Sequence, residues 1–309
     1  MMTWVKQNRQ LILRGTGTLL AIVLLVVLLY QNGWTEIQTA LQRISLLHLL
    51  LALGCIVMSR VFITLRWHVL LRSADIKISF KDTASLVFTG LFANNFLPTT
   101  VGGDVIRLAG AIQMGYDQAI CLASIAADRL INMVGMSLAA PFGLWQLFAN
   151  PIAGTQDFAS LQYAGIIPGL WQKGWKFIQR TFGSFSLWLK KPSALLLALG
   201  FAMAHMIFSF SANYILINGL GASLVFWKVI GLFSLAYFVS LVPVSINGYG
   251  VQELTVTFLL SQFGGVSLPV SATVAVLHRL LMMFVSLPGA LTLPGVMARM
   301  DRKTQEGRG

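Results

Sequence analysis

The sequence predicts an all-α integral membrane protein, a polytopic helical bundle of six to eight membrane segments. Of its 309 residues, 56% are hydrophobic and only 10% are charged, whereas charged residues make up about 25% of a soluble domain. Apolar runs of about 20 residues, the length that crosses a bilayer as a helix, recur along the chain. So few charges could not cover a water-facing surface, which excludes an ordinary soluble enzyme, a disordered chain and a nucleic-acid-binding module.

The apolar runs give the expected order of membrane segments. Six runs are long enough to be full spans, at residues 11–31, 45–70, 117–148, 193–219, 222–243 and 268–297. Two shorter stretches, 82–97 and 251–263, adjoin segments that contain proline and glycine, so we expect broken or re-entrant helices there. Residues 1–309 are predicted to form a single transmembrane domain with six full spans and two broken units, or eight spans on a looser count.

Basic residues before the first apolar run indicate the orientation of the chain. Lys6, Arg9 and Arg14 precede this run, and no small-x-small cleavage site follows it. The run is therefore predicted to be a retained helix rather than a signal peptide, with its N-terminus in the cytoplasm. The expected location is the cell membrane, that is the cytoplasmic or inner membrane.

The net charge is +12, and most basic residues lie between apolar runs. This distribution is typical of loops that contact anionic lipids, and nucleic acid is not expected as a partner. One cluster, at the end of the second predicted helix, is expected to face the cytoplasm: Arg60, Arg66, His68, Arg72, Lys77 and Lys81. A basic and aromatic segment at about 165–191 is predicted to lie in the membrane interface, with a lipid-gathering platform as the alternative.

Two parts of the chain share an order of features that predicts an internal repeat. Repeat 1 covers about 82–148 and repeat 2 about 222–297; each has an aromatic stretch, an apolar residue before proline, a glycine turn and an apolar helix. The halves are predicted to be inverted, with broken elements around 92–107 and 238–253 that meet near the bilayer centre. Paired, interrupted segments indicate the substrate site of a repeat-built transporter; two unrelated helix breaks are the alternative.

Six charged residues fall in or beside the apolar segments: Asp104, Arg107, Asp128, Arg129, Glu253 and Arg279. A charge at a helix centre costs roughly 2.5–3.5 kcal/mol, so such residues persist where they pair or face water. Asp104 and Arg107 share one helical face, and Arg279 is placed in repeat 2 as Arg129 is in repeat 1. Glu253 has no basic neighbour in sequence, so we expect it to pair with Arg129 or Arg107. Ion pairs that only fix helix register are the alternative.

The glycine turns and the charged residues together predict a polar cavity that binds a lipid headgroup. Each turn is expected to expose backbone N–H groups at a helix start, which suits a phosphate, and arginine adds a bidentate clamp. The acidic residues are expected to balance these charges or to bind an amine. The predicted substrate-binding residues are Asn94, Asn95, Pro98, Gly102, Gly103, Asp104, Arg107, Asp128, Arg129, Asn247, Gly248, Tyr249, Gly250, Glu253 and Arg279.

The sequence contains no CxxC, HExxH, Walker A or nucleophile-elbow pattern, so no catalytic residue, metal site or cofactor is predicted. The asparagines at 94, 95 and 132 are expected to cap helices or to bond between them, with cavity lining as the alternative. The four histidines, His48, His68, His205 and His278, are scattered and are expected in the core or at helix interfaces.

Residues 95–107, with a proline, Gly102-Gly103-Asp104 and Arg107, resemble the signature motif of the lysylphosphatidylglycerol synthase transmembrane-region family, also called the flippase-like family. Residues 66–71, 127–129 and 247–253 resemble further motifs of that family. The resemblance implies a membrane domain that moves a lipid between leaflets. In some members this domain is fused to a soluble aminoacyl-transfer domain; here the chain ends at Gly309 after a short basic tail, so lysyl transfer is not expected.

The sequence therefore predicts a membrane lipid translocator and not an enzyme. Its expected substrate is a membrane phospholipid, a polyprenyl lipid or a glycolipid, and a homo-oligomer or a lipid-synthesis enzyme partner is left open. Two other functions stay open as well. One is an enzyme that acts on a lipid-linked phosphate, with Asp104 or Glu253 as base; the other is a non-transporting scaffold for lipid synthesis.

Overall fold

A computed structural model describes residues 42–97, 102–149, 191–241 and 249–293, together with the single positions 23 and 39. These residues form eight helices and contain no strand. The helices are α1 (Leu46–Ser73), α2 (Phe80–Asn94), α3 (Gly102–Gln113), α4 (Gln118–Ala149), α5 (Pro192–Gly219), α6 (Phe226–Ser240), α7 (Val251–Gln262) and α8 (Leu268–Ser286).

Four helices are long and apolar enough to cross a membrane: α1, α4, α5, and α8 with its continuation to Leu293. At 1.5 Å per residue, their 26 to 30 residues extend about 39–45 Å, more than the roughly 30 Å of a hydrocarbon core. The prediction of a helical membrane protein is confirmed. The predicted spans 45–70, 117–148, 193–219 and 268–297 correspond to these four helices.

The other four described helices are short. α2 and α6 have 15 residues each, and α3 and α7 have 12 each. The expectation of a full span at 222–243 is therefore wrong, because α6 extends only about 22 Å. α6 begins five residues after the turn at Gly221 (φ +83°) and ends at Ser240, whereas the apolar composition of the sequence continues past both ends. The predicted span 11–31 and the interfacial segment 165–191 lie outside the described residues, except for Val23 and Lys191.

Four apolar clusters pack the described helices together, and two of them join most of the elements. One core joins α1 and α5 to α6, α7 and α8 through residues such as Ile56, Leu216 and Leu260. The other joins α1 to α2, α3 and α4 around Trp67 and Leu86. Large apolar side chains also cover the outside of the bundle, including Trp145, Leu196 and Leu291, as expected for a surface in contact with lipid.

The two predicted repeats have helices of matching length and order. In each, a helix of 15 residues precedes one of 12 and then a spanning helix. Asp104 is the third residue of α3 and Glu253 the third of α7, while Arg129 and Arg279 each lie 11 residues after the start of α4 and α8. The inverted orientation of the halves and their meeting at the bilayer centre stay predictions.

Candidate functional site

All eight described helices contribute to a cavity of about 390 Å³. Its lining includes two carboxylates, Asp104 and Asp128, and five arginines: Arg60, Arg66, Arg107, Arg129 and Arg279. Arg60 lies 14 residues after the start of α1, about 21 Å along a helix of 28 residues and thus near its middle. The cavity therefore places an excess of positive charge inside the helical bundle.

The carboxylates and arginines of repeat 1 form one connected network with Arg66 of α1. Asp104 accepts a hydrogen bond from Arg107 Nη1 at 3.1 Å and another from Arg129 Nε. Asp128 accepts one from Arg66 Nε at 2.6 Å and lies 3.5 Å from Arg107 Nη1. The network links α1, α3 and α4, because Arg107 contacts both carboxylates. It also places the predicted pair Asp104 and Arg107 together.

Arg107 is held over the face of Trp67, with its guanidinium carbon 4.1 Å from the ring centroid. The indole is fully buried and donates to Ser124 Oγ at 3.0 Å, which fixes the ring. Stacking of this kind stabilises a cation in a site from which water is excluded. The Nε and Nη2 atoms of Arg107 are buried and have no hydrogen-bond partner among the described residues.

Repeat 2 contains an equivalent pair, in which Arg279 Nε donates to Glu253. Arg279 also donates to Gln252 Oε1 at 2.8 Å and lies over the ring of Tyr249, 4.9 Å from its centroid. The expectation that Glu253 pairs with Arg129 or Arg107 is wrong. Glu253 lies in the first turn of α7, which packs against α8, so the nearest arginine is that of its own repeat.

Asparagine side chains connect the broken elements. Asn94 Oδ1 accepts from the Gly103 N–H at 2.6 Å, and Asn95 Nδ2 donates to Ser286 Oγ at 2.8 Å. The carbonyl of Asn95 accepts from the Tyr249 hydroxyl at 3.2 Å, which joins the end of α2 to the turn before α7. Asn94 and Asn95 also line the cavity, so both predicted roles apply to them.

The expectation of exposed N–H groups at the glycine turns is wrong at two positions. The Gly103 N–H is taken by Asn94, and the Gly250 N–H donates to Glu253 Oε2 at 2.8 Å. Side chains thus satisfy one backbone N–H at the start of each of these two helices. Arginine side chains, rather than these two amides, are the donors that face the cavity.

The predicted site residues fall into three groups. Those that line the cavity are Asn94, Asn95, Gly103, Asp104, Arg107, Asp128, Arg129 and Arg279. Those that are described but lie beside it are Gly102, Tyr249, Gly250 and Glu253. Pro98, Asn247 and Gly248 lie outside the described residues.

Sequence reasoning missed two arginines of the site. Arg60 and Arg66 were expected in a basic cluster facing the cytoplasm, but they are only 8% and 4% exposed and line the cavity. Both fall inside a helix that continues to Ser73, and this position inside an apolar run was the available signal. His205 was expected in the core; it is buried, bonds to Ser59 Oγ at 2.7 Å and lines the cavity as well.

Asn132 and Tyr237 also line the cavity and connect the two repeats. Asn132 accepts from Arg66 Nη1 at 2.9 Å and donates to the Tyr237 hydroxyl at 3.1 Å.

No group of three or more His, Cys, Asp or Glu side chains that could hold a metal ion occurs in the part of the chain that the structure describes. The cavity is therefore lined by guanidinium donors that neighbouring side chains hold in place.

Comparison with models of known protein families gives a match over most of the chain. Residues 16–289 match the family model described as the lysylphosphatidylglycerol synthase TM region. The chain belongs to this family. The match spans all the described helices and so includes every residue of the cavity lining.

Relatives of this family member are membrane proteins. A UPF0104 membrane protein of Methanothermobacter thermautotrophicus is 21% identical over 327 aligned residues, which cover 92% of this chain and 94% of the relative. Another from the same organism is 30% identical over 140 residues, or 44% and 38% of the two chains. A UPF0104 membrane protein of Pyrococcus horikoshii is 25% identical over 121 residues, or 38% and 36%. The chain is therefore a membrane protein of a lipid-related family.

Proposed function

We propose that this protein is a lipid translocator. Its cavity binds the headgroup of an anionic or zwitterionic phospholipid, or of a lipid-linked saccharide, and carries it between the two leaflets. The observation that supports this proposal is the cavity itself, in which five arginines surround about 390 Å³ between helices long enough to span a bilayer. A volume of this size is within the range of sites that bind small ligands.

The arginines favour a phosphate-bearing ligand. Guanidinium groups bind phosphate oxygens in a bidentate manner, and ionisable residues inside membranes mark substrate or ion pathways because they are costly elsewhere. The apolar outer surface, with side chains such as Leu196 and Trp145, is suited to acyl chains. The headgroup would occupy the cavity while the chains stay in lipid.

The same proposal includes the driving force for lipid movement and the membrane in which the protein lies. The sequence has no Walker A motif, so we propose that the lipid moves down its own gradient or is driven by an ion gradient or the membrane potential. Anionic lipids at the basic loops and a cytoplasmic N-terminus in the cytoplasmic membrane are part of this proposal. They suit a chain whose net charge is +12.

Transport in proteoliposomes tests the proposal. Purified protein is reconstituted with trace fluorescent anionic or zwitterionic lipids, and their transfer between leaflets is followed with a membrane-impermeant quencher. Wild type is compared with Arg129→Gln, which removes a cavity charge, and with Glu253→Gln, which removes the negative charge that pairs with Arg279. The matched control is Arg72→Gln, because Arg72 is exposed in the last turn of α1 and does not line the cavity.

Headgroup-dependent transfer that is lost in Arg129→Gln and Glu253→Gln but retained in Arg72→Gln is the expected result. Loss in all three variants, or in none, would contradict a role for the cavity. A scaffold would show wild-type transfer equal to protein-free vesicles. The enzyme alternative gains little support, because Asp104 and Glu253 are each bound to arginine and Glu253 does not line the cavity.

A further inference from the structure

We propose that the cavity selects a headgroup with two negative charges and no ammonium group, such as a phosphate monoester or a diphosphate, and that Arg60 sets this preference. The inference rests on the proposed function, since it assumes that a lipid headgroup enters the cavity. A preference set by the charge of the headgroup is not shown by the family match or by the relatives.

No carboxylate of the site is free to bind an amine. Asp104 accepts from Arg107 and Arg129, and Asp128 pairs with Arg66 and Arg107. Glu253, the partner of Arg279, also accepts the Gly250 N–H and lies outside the lining. An ammonium group in the cavity would thus meet guanidinium groups and no unpaired acid among the described residues.

The same residues leave cationic groups in excess. Five arginines against three carboxylates give a balance of +2 for this set. No carboxylate forms an ion pair with Arg60 in the described ranges, although Arg60 is only 8% exposed. The segments 98–101 and 242–248, which adjoin lining helices in sequence, contain no acidic residue.

Unpartnered donors in the lining also indicate an anion. Arg107 has buried Nε and Nη2 atoms without a hydrogen-bond partner in the described part of the chain. Arg60 and Arg279 both line the cavity and add positive charge there. An anion with two charges and several oxygens would satisfy these donors and neutralise the excess, which a zwitterion cannot do because its ammonium restores the positive charge.

The lipid that names the family differs in charge from the proposed headgroup class. A lysyl ester of phosphatidylglycerol carries two ammonium groups beside one phosphate, and it would bring net positive charge into a positive chamber. We therefore expect it to bind more weakly than any anionic lipid of the same chain length.

Binding to the purified full-length protein in detergent tests the inference without requiring transport. The probes are short-chain phosphatidic acid, phosphatidylglycerol, phosphatidylcholine and lysylphosphatidylglycerol, with inorganic phosphate and glycerol 3-phosphate as water-soluble anions. Dissociation constants are measured from ligand-induced shifts in unfolding. Since a hydrogen bond to a charged group changes affinity by about tenfold or more, phosphatidic acid should bind about tenfold more tightly than phosphatidylcholine, with phosphatidylglycerol between them.

Arg60→Gln should lower the affinity for phosphatidic acid to that for phosphatidylglycerol, while Arg60→Lys should keep the order of preference. Arg72→Gln is the control for loss of an arginine outside the cavity. If Arg60→Gln fails to fold, the order of lipid affinities measured for wild type and for Arg60→Lys still tests the proposed charge preference.

The outcomes separate this inference from the proposed function. Equal binding of all lipids, or tighter binding of phosphatidylcholine or the lysyl lipid, overturns the charge selectivity and leaves a translocator intact. Binding of phosphate or glycerol 3-phosphate as tightly as phosphatidic acid assigns the site to a water-soluble anion and overturns both proposals. Absence of lipid binding overturns both as well, and the transport assay then shows no headgroup dependence.

Discussion

Replacement of Asp128 by asparagine is a direct test of the buried network. Asp128 is only 4% exposed, and it accepts from Arg66 Nε at 2.6 Å and faces Arg107 Nη1 at 3.5 Å. Asparagine keeps the size of the side chain and one acceptor oxygen but removes the negative charge. Arg66 would then have no carboxylate partner in the described network, and Arg107 would share the carboxylate of Asp104 with Arg129.

The magnitude follows from burial. Removing one partner of a buried ion pair typically costs about 3–5 kcal/mol because it leaves an uncompensated charge. Here one carboxylate serves two arginines, so we expect the Asp128→Asn cost to reach the upper part of this range. Adding Arg66→Gln to this variant removes the guanidinium charge that has lost its carboxylate, so the double variant should recover part of the lost stability.

Equilibrium unfolding of the purified protein in mixed micelles measures this change. The matched control is Asp75→Asn, because Asp75 pairs with Lys191 at 3.1 Å while its side chain is 90% exposed. Exposed pairs contribute little to stability, so no measurable change is expected there. If the two Asp→Asn variants lost equal free energy of unfolding, or if the double variant were no more stable than Asp128→Asn alone, the network would not have the role assigned to it.

Two further changes test the packing around the site. Gly143→Ala should destabilise the protein by about 1–3 kcal/mol, because a Cβ there would overlap the Gly231 carbonyl oxygen where α4 meets α6; Gly200→Ala, whose Cβ meets nothing within 4 Å, should be neutral or stabilise by up to about 1 kcal/mol. Similar unfolding curves for the two variants would refute the close approach. Tyr237→Phe removes the hydroxyl that accepts from Asn132 at 3.1 Å, so it should lower the free energy of unfolding by about 1 kcal/mol; an unchanged unfolding midpoint would argue against this bond.

The spanning helices and the charged residues of the site could be predicted from the sequence because both depend on local composition. An apolar run of 26 residues has one stable form in a bilayer, and a charge within it needs a partner. The pairing of Asp104 with Arg107 could also be predicted from neighbouring sequence, because residues three apart lie on the same face of a helix.

The features that could not be predicted depend on how each helix is rotated about its own axis and on which helix it packs against. Counting basic residues placed Arg60 and Arg66 in a cytoplasmic cluster, whereas the face that α1 turns toward α4 and α5 buries both. The partner of Glu253 depended on which helix α7 packs against, and no local pattern specifies that. The length of α6 was missed because hydropathy does not register where a turn or proline ends a helix.

The long separation along the chain between Arg66 and Asp128 has a consequence for biogenesis. The arginine is made 62 residues before the carboxylate it pairs with, which at ~5–20 residues per second is a delay of roughly 3 to 12 s. During that interval α1 must enter the bilayer on the strength of its apolar residues alone. A ribosome stalled before residue 128 would therefore hold an α1 whose Arg66 has no carboxylate partner, and the synthesis of α4 would supply that partner.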